Sequence, residues 1–250
     1  MTDDLQYHVQ LRAGDVGRYV LLPGDPGRCE VIARHFTDPV KIASHREYET
    51  WTGTLDGERV SVTSTGIGCP SAAIAVEELI KVGADTFIRV GTSGSIQADT
   101  APGSLSIVTA AIRDEGTSSH YLPIEFPALA DPSVVDALTT AARALGVTWQ
   151  RGVSQSKDSF YGEVEPDRMP LAEVLHERWA AWTLGGAICS EMEASTIFTI
   201  AAIHRVRAGG VMFTAGPGVD FESSKEPLLR VATDALRVLI RNDRAGMTWP

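Results

Sequence analysis

Along this chain, short apolar runs alternate from start to finish with stretches whose apolar residues recur three and four positions apart. Arg18 to Pro23 is an apolar run stopped by Pro-Gly, and Pro26 to Phe36 carries the helical spacing, so the first unit reads as strand then helix. Glu47 to Leu55 and Arg59 to Thr65 are rich in Thr, Val, Trp and Tyr, with Asp56-Gly57 between them as a hairpin turn. Pro70 to Val82 predicts a helix with Glu77 and Glu78 outward and Ile74, Leu79 and Ile80 inward, leading into a buried central strand, Thr86 to Val90, that ends at Gly91. Further strands are predicted at Ser104 to Ala111, Val147 to Ser154 and Ala208 to Phe213, and helices at Ser133 to Leu145, Met169 to Trp182, Glu193 to Arg205 and Pro227 to Arg241. The alternation predicts an α/β fold, a three-layer domain over residues 1–250 with a central mixed sheet flanked by helices. No repeat, low-complexity tract or linker interrupts it, and Asp114 to Asp131 is the longest irregular segment.

Composition narrows the partners. The chain of 250 residues carries 22 basic and 32 acidic side chains, a net charge of −10, which repels phosphate backbones and anionic lipid heads. Nucleic-acid and membrane-surface roles are therefore disfavoured, and no apolar run approaches the ~20 residues that span a bilayer. Met1 to Gln10 lacks the basic and apolar regions of a secretory leader. Cys29, Cys69 and Cys189 are widely spaced and form no C-x-x-C pair, which fits three separate small buried thiols in a reducing, cytoplasmic setting.

Ligands of open α/β sheets sit beyond strand ends, and four junctions stand out. In Pro23-Gly24-Asp25-Pro26-Gly27-Arg28, Asp25 suits an N-cap and Arg28 falls in the first helical turn, where it is either an anion ligand or a plain surface arginine. Arg46 and Glu47 in Ser44-His-Arg-Glu-Tyr48 lead into an apolar strand. Arg89 interrupts an otherwise apolar run ahead of Gly91-Thr92-Ser-Gly94, and a buried guanidinium needs a partner or an anion. Together Arg28, Arg46, Arg89 and the Gly/Thr turn could hold one phosphate. Glu191 and Glu193 in Ser190-Glu-Met-Glu-Ala194 sit where a helix opens; the helix dipole alone favours them, and carboxylates there can also accept from vicinal sugar hydroxyls, with Met192 as an apolar floor. Phe160 and Tyr161 could stack on a flat ring or simply belong to the core. A P-loop, a complete G-x-G-x-x-G, H-E-x-x-H and G-x-S-x-G are all absent.

Taken in order, Pro23 to Pro26, Ala43-Ser-His-Arg-Glu47, Ser64-Thr-Gly-Ile-Gly68 with Pro70-Ser71, Arg89 to Thr92, Ile124-Glu-Phe-Pro127 and Ser190 to Ala194 resemble the blocks of the nucleoside phosphorylases of the uridine phosphorylase type, along nearly the whole chain. The resemblance implies reversible phosphorolysis of a nucleoside to free base and (deoxy)ribose 1-phosphate, with phosphate as co-substrate and no required cofactor. Carried over by motif, Gly24, Arg28, Arg46, Arg89 and Thr92 would hold phosphate, Arg28, Arg46, Arg89 and Glu193 forming the catalytic set. Met192 and Glu193 would hold the ribose, with Glu191 flanking it, Phe160 beside the nucleoside, and His8 reaching a neighbouring subunit's 5′-hydroxyl. Glu47, Ile67 and Ser71 match positions that bind potassium between paired subunits in some members. The implied assembly is a homo-oligomer, a dimer unit within a hexamer.

The base half departs from the family. Where uridine phosphorylases place a Gln followed by an Arg, this chain has Glu163, with Arg168 matching the arginine. A carboxylate offers no donor to a carbonyl and repels an anionic leaving base unless protonated or paired with Arg168. Ala215-Gly-Pro-Gly-Val219 lacks the polar or basic residues expected to complete the base pocket, and it also lacks the Ser-Asp pair that purine-specific relatives use as acid toward purine N7. The expectation is a phosphorylase with altered base preference; a phosphate-independent nucleosidase and a non-catalytic nucleoside-binding relative are the alternatives.

Overall fold

The computed structural model describes residues 4–247, so the reading of Met1 to Gln10 falls in part outside it. Ten strands form one mixed sheet: β1 (Tyr19–Pro23), β2 (Thr37–His45), β3 (Tyr48–Leu55), β4 (Glu58–Thr63), β5 (Thr86–Ser95), β6 (Leu105–Asp114), β7 (Ala128–Leu129), β8 (Trp149–Lys157), β9 (Cys189–Glu191) and β10 (Arg207–Thr214). The helices are α1 (Gly27–Ala33), α2 (Cys69–Lys81), α3 (Pro132–Leu145), α4 (Phe160–Val164), α5 (Ala172–Leu184), α6 (Ala194–His204), α7 (Phe221–Ser224) and α8 (Glu226–Arg244). α3 packs on α8 and both lie against β10, while α2 packs on α6, which lies against β6, β8 and β10. The expected α/β fold with helices flanking a mixed sheet is what forms. Among the described residues no helix is long and apolar enough to cross a membrane.

β5 is the hub. Its residues Thr86 to Gly91 are all buried; Thr86 to Val90 pair with β1 on one side, and Thr86 to Ser93 pair with β10 on the other. Past the end of β1, Gly94 and Ser95 pair with β9 instead. Because β10 also pairs with β6, β6 with β8 and β8 with β9, the strands β5, β10, β6, β8 and β9 close on themselves. β1, β4, β3 and β2 extend from β5 as an open wing. The C-terminal end of β5 therefore faces several chain segments at once, which is where the site is built.

Four differences from the predicted elements matter. β2 carries no fully buried residue, contains Pro39 and has two register shifts against β3, so an edge strand was invisible to a search for apolar periodicity. Arg46 and Glu47 are consequently the turn of a β2–β3 hairpin, and the strand starts at Tyr48; Arg46 has φ 57°, the left-handed region. β5 runs on through Gly91-Thr-Ser-Gly to Ser95, so Thr92 lies on the strand, not on a turn after it. Ser190 and Glu191 belong with Cys189 to the three-residue β9, and α6 begins only at Ala194. The irregular stretch from Asp114 to Asp131 is organised by Arg113, whose guanidinium donates to Ser118 Oγ and to the carbonyls of Ser118, Leu122, Pro123 and Phe126.

Candidate active site

The centre of the site is a buried charge cluster. Arg89 sits mid-β5 with its Nε donating to Glu191 Oε2 at 2.9 Å and its Nη2 paired to Glu193. Glu191, at the end of β9, accepts from the backbone N–H groups of Glu193 and Ala194 at 2.9 Å each, which caps the start of α6, and its other oxygen accepts from Ser156. Glu193 Oε1 accepts from the Gly68 N–H at 2.6 Å, tying α6 to the loop ahead of α2. Burial opposes the charge on Arg89, but Glu193 and Glu191 outweigh it and hold the guanidinium above its ordinary range. Burial pushes Glu193 above the usual carboxylate range, with Arg89 opposing. Gly91 makes this arrangement fit: a Cβ there would stand 2.5 Å from Met212 Sδ and 3.0 Å from Arg89 Nη2.

Arg28 is the second cation. It stacks on Phe221 at 4.4 Å from the ring centroid, and burial pulls it below the ordinary arginine range, with Asp25 opposing and the charge of Arg89 adding to the pull. The N-cap of α1 is Pro26 and not Asp25, because the helix begins only at Gly27; Asp25 accepts from the Gly27 N–H at 2.9 Å from one residue further out. Two guanidinium nitrogens, Arg28 Nε and Arg89 Nη1, are buried without a hydrogen-bond partner. Such orphaned cationic donors are costly unless an anion meets them. Gly24 lies beside the same loop, where a Cβ would stand 3.2 Å from the Gly66 carbonyl oxygen. Thr92, half-buried, lies three residues beyond Arg89 on β5.

On the other side of Glu191 lies a second polar cluster, missed in the sequence. Lys157, the last residue of β8 and 8% exposed, pairs with Glu163 at 2.9 Å and donates to Ser190 Oγ at 2.6 Å. The single Ser190 proton is shared between Gln155 Oε1 at 2.5 Å and Glu163 Oε2. Glu163 is thus neutralised by Lys157 and not by Arg168, which is 73% exposed and pairs with Glu165. Phe160 and Tyr161 meet edge to face at 5.4 Å on α4 and remain largely exposed, so neither is core. Met192 is half-buried between the two carboxylates. The available signal for Lys157 was its place directly before the Asp-Ser-Phe-Tyr run, at the carboxyl end of a strand whose length was under-read by three residues.

The remaining expected residues gather elsewhere. His8 Nδ1 bonds Glu78 at 2.7 Å, and the His8 carbonyl receives His45 Nδ1 at 2.8 Å, so His8 and the exposed Arg46 turn lie at the same end of the β2–β3 hairpin. No hydrogen bond or ion pair joins either to Arg28, Arg89 or Glu193 among the described residues. Below the turn, Ser71 Oγ donates to Glu47 Oε1 at 2.7 Å, and that bond holds Glu47 below the usual carboxylate range. Ile67, in the adjoining loop, is 79% exposed.

The family model described as the phosphorylase superfamily matches residues 18–241. The chain is 47% identical over 248 residues to a uridine phosphorylase of Treponema pallidum, covering 96% of each protein. It is 44% identical over 254 residues to a uridine phosphorylase of Thermococcus kodakarensis, covering 98% of this chain and 91% of the relative. A guanosine phosphorylase of Halorubrum lacusprofundi is 38% identical over 211 residues, 84% of this chain and 83% of that protein. Since the matched span includes β5, the α6 head and every strand of the closed sheet, this chain belongs to the phosphorylase superfamily.

Proposed function

We propose that the protein is a nucleoside phosphorylase of the uridine phosphorylase type, a pentosyltransferase that cleaves a nucleoside with inorganic phosphate. The observation that carries this reading is the pair of buried, unpartnered nitrogens, Arg28 Nε and Arg89 Nη1, beside two carboxylates. Phosphate would bridge the two guanidiniums, with the Gly24 backbone and the Thr92 hydroxyl as further donors and Arg46 supplied by a partner subunit. Glu193 and Met192 would hold the ribose, Glu191 would fix Arg89 and flank the sugar, and His8 would reach the partner's 5′-hydroxyl. The placement of His8 and Arg46 together at one end of the β2–β3 hairpin, apart from their own protomer's Arg28 and Arg89, supports this exchange, and a dimer would then be the smallest complete unit. A hexamer built from such dimers is the assembly we propose.

The chemistry follows from this placement. As the C–N glycosidic bond breaks, positive charge grows on the anomeric carbon; a phosphate oxygen held against it stabilises that charge and then forms the new C–O bond. The base leaves with the C–N electron pair and takes up a proton. No covalent enzyme intermediate is required. Glu47, Ser71 and the Ile67 backbone offer only oxygen donors, and Ser71 keeps Glu47 ionised, which suits a hard monovalent cation. Potassium held there would neutralise Glu47 between paired subunits. Three buried free thiols fit a cytoplasmic location.

The test is phosphate dependence: nucleoside cleavage that requires phosphate and yields pentose 1-phosphate is expected. Cleavage undiminished in phosphate-free buffer would overturn the reading in favour of a hydrolytic nucleosidase, and nucleoside binding without turnover in favour of a non-catalytic relative.

A further inference from the structure

Resting on phosphorolysis as the reaction of this site, we infer that the base it takes is a 2-amino-6-oxopurine, so that the nucleoside is of the guanosine class. The free hydrogen-bonding capacity of the Lys157–Glu163 pair carries this assignment. The Lys157 ammonium has three N–H donors; one goes to Ser190 Oγ at 2.6 Å, and its charge pairs with Glu163 Oε2 at 2.9 Å, which leaves at least one N–H free. Glu163 Oε2 receives both Lys157 and Ser190, while Oε1 takes no hydrogen bond among the described residues and lies 3.7 Å from the point a Cβ on Gly94 would occupy. Gly94 is exposed on β5, five residues past Arg89, so the uncommitted oxygen faces the open end of the strand that holds the phosphate ligand.

What remains free is at least one ammonium N–H and two lone pairs on one carboxylate oxygen. A 2-amino-6-oxopurine presents the complement along one edge: an oxo oxygen, then a ring N–H, then an amino N–H. A pyrimidine-2,4-dione presents oxo, N–H, oxo, and its second oxo would meet a carboxylate that has no proton to give. A 6-oxopurine without the amino group satisfies the ammonium and one lone pair only. An amide side chain in place of Glu163 could turn over and serve either pattern. This carboxylate cannot donate, and Lys157 and Ser190 pin it.

The experiment measures kcat/KM of the full-length protein at saturating phosphate for guanosine, inosine and uridine, in the wild type and in Glu163→Gln. Guanosine is expected to exceed inosine about tenfold or more, the discrimination one N–H to a carboxylate provides. In Glu163→Gln that ratio should fall about tenfold while uridine rises. A wild-type guanosine to inosine ratio at or below one, or a ratio unchanged in the variant, overturns the base assignment. If thermal unfolding shows that the variant does not fold, product inhibition of the wild type decides: guanine must bind about tenfold more tightly than hypoxanthine, and equal binding overturns the assignment. Phosphate-dependent cleavage of uridine or inosine in preference to guanosine leaves phosphorolysis standing and removes only this base. Absence of phosphate-dependent cleavage of all three removes the reaction itself.

Discussion

Arg89→Met tests the charge cluster directly. The side chain is 5% exposed, and it faces two carboxylates that are 0% and 3% exposed, Glu191 at 2.9 Å and Glu193. Methionine fills similar volume but leaves both carboxylates buried without the cation, so the loss should approach the ~3–5 kcal/mol seen when one partner of a buried pair is removed. That is a large share of the roughly 5–15 kcal/mol that holds a domain folded. The deficit should depend on pH. Burial already raises the Glu193 pKa above its ordinary 4.5 with Arg89 opposing, and without Arg89 it rises further. A carboxylate whose folded pKa lies above its unfolded one contributes stability below the unfolded value and loses it as pH rises through the folded value. The variant should therefore be least impaired in acid and most impaired above neutrality. Urea unfolding of wild type, Arg89→Met and Arg89→Met/Glu193→Gln at about pH 5 and about pH 8 measures this, and the double variant should regain about 1–3 kcal/mol at the higher pH. A deficit under about 1 kcal/mol at about pH 8, no shrinkage toward acid, or a double variant no better than the single would refute the buried-pair account.

Other outcomes follow from the same geometry. Gly91→Ala places a Cβ 3.0 Å from Arg89 Nη2 and 2.5 Å from Met212 Sδ, so kcat/KM for phosphate should fall about tenfold or more as the guanidinium is displaced, and an unaffected KM for phosphate would count against the cradle. Mixing inactive Arg46→Ala with inactive Arg28→Ala should restore phosphorolysis through hybrid dimers, because each subunit lends what the other lacks; no recovery after subunit exchange would show that the sites are not shared. Asp243 accepts from Arg207 at 2.7 and 2.9 Å and from Tyr19 at 2.5 Å, linking α8 to β10 and β1. Burial opposes its charge, but those bonds hold it below its ordinary 3.8, so the stability it confers is full above that value and lost as pH falls through its folded pKa. Asp243→Asn should cost about 1–3 kcal/mol in urea at neutral pH, and a neutral result would reject the link. Burial raises the thiol pKa of Cys69 and lifts Cys29 and Cys189 to about 12, so a thiol reagent at about pH 8 should label the native protein slowly and all three cysteines after denaturation.

Much of the site was legible because its chemistry is local. Asp25 bonds the first N–H of α1 as its neighbours Pro26 and Gly27 suggest, although the cap position itself falls to Pro26, and Arg89 in an apolar run had to be a paired or anion-bound cation whatever the fold. Glu191 and Glu193 lie two residues apart at a helix head, so their shared role was readable without tertiary information. Glu163 was recognised as anomalous by type. Its partner is Lys157 and not Arg168: both are about equally near Glu163 in sequence, and Lys157 reaches it because β8 runs three residues beyond its apolar stretch and delivers an ammonium beside α4, while Arg168 points into solvent and pairs with Glu165. The β2 edge strand was missed for the opposite reason, since it buries no side chain fully and leaves no apolar period to detect.

The amino-acid sequence by itself determined the alternating α/β plan, the buried cation on β5, the carboxylates at the head of α6 and the oddity at position 163, because periodicity, capping and the cost of an unpaired buried charge act over a few residues. Tertiary structure decided which groups answer one another: that β5 leaves β1 for β9, that Arg28 and Arg89 keep one free buried nitrogen each, that Lys157 neutralises Glu163, and that His8 and Arg46 share a hairpin end away from their own Arg89. Most of those pairings join residues tens of positions apart through sheet register and loop length, and even the near pair Lys157–Glu163 depends on where β8 ends, which no local pattern encodes.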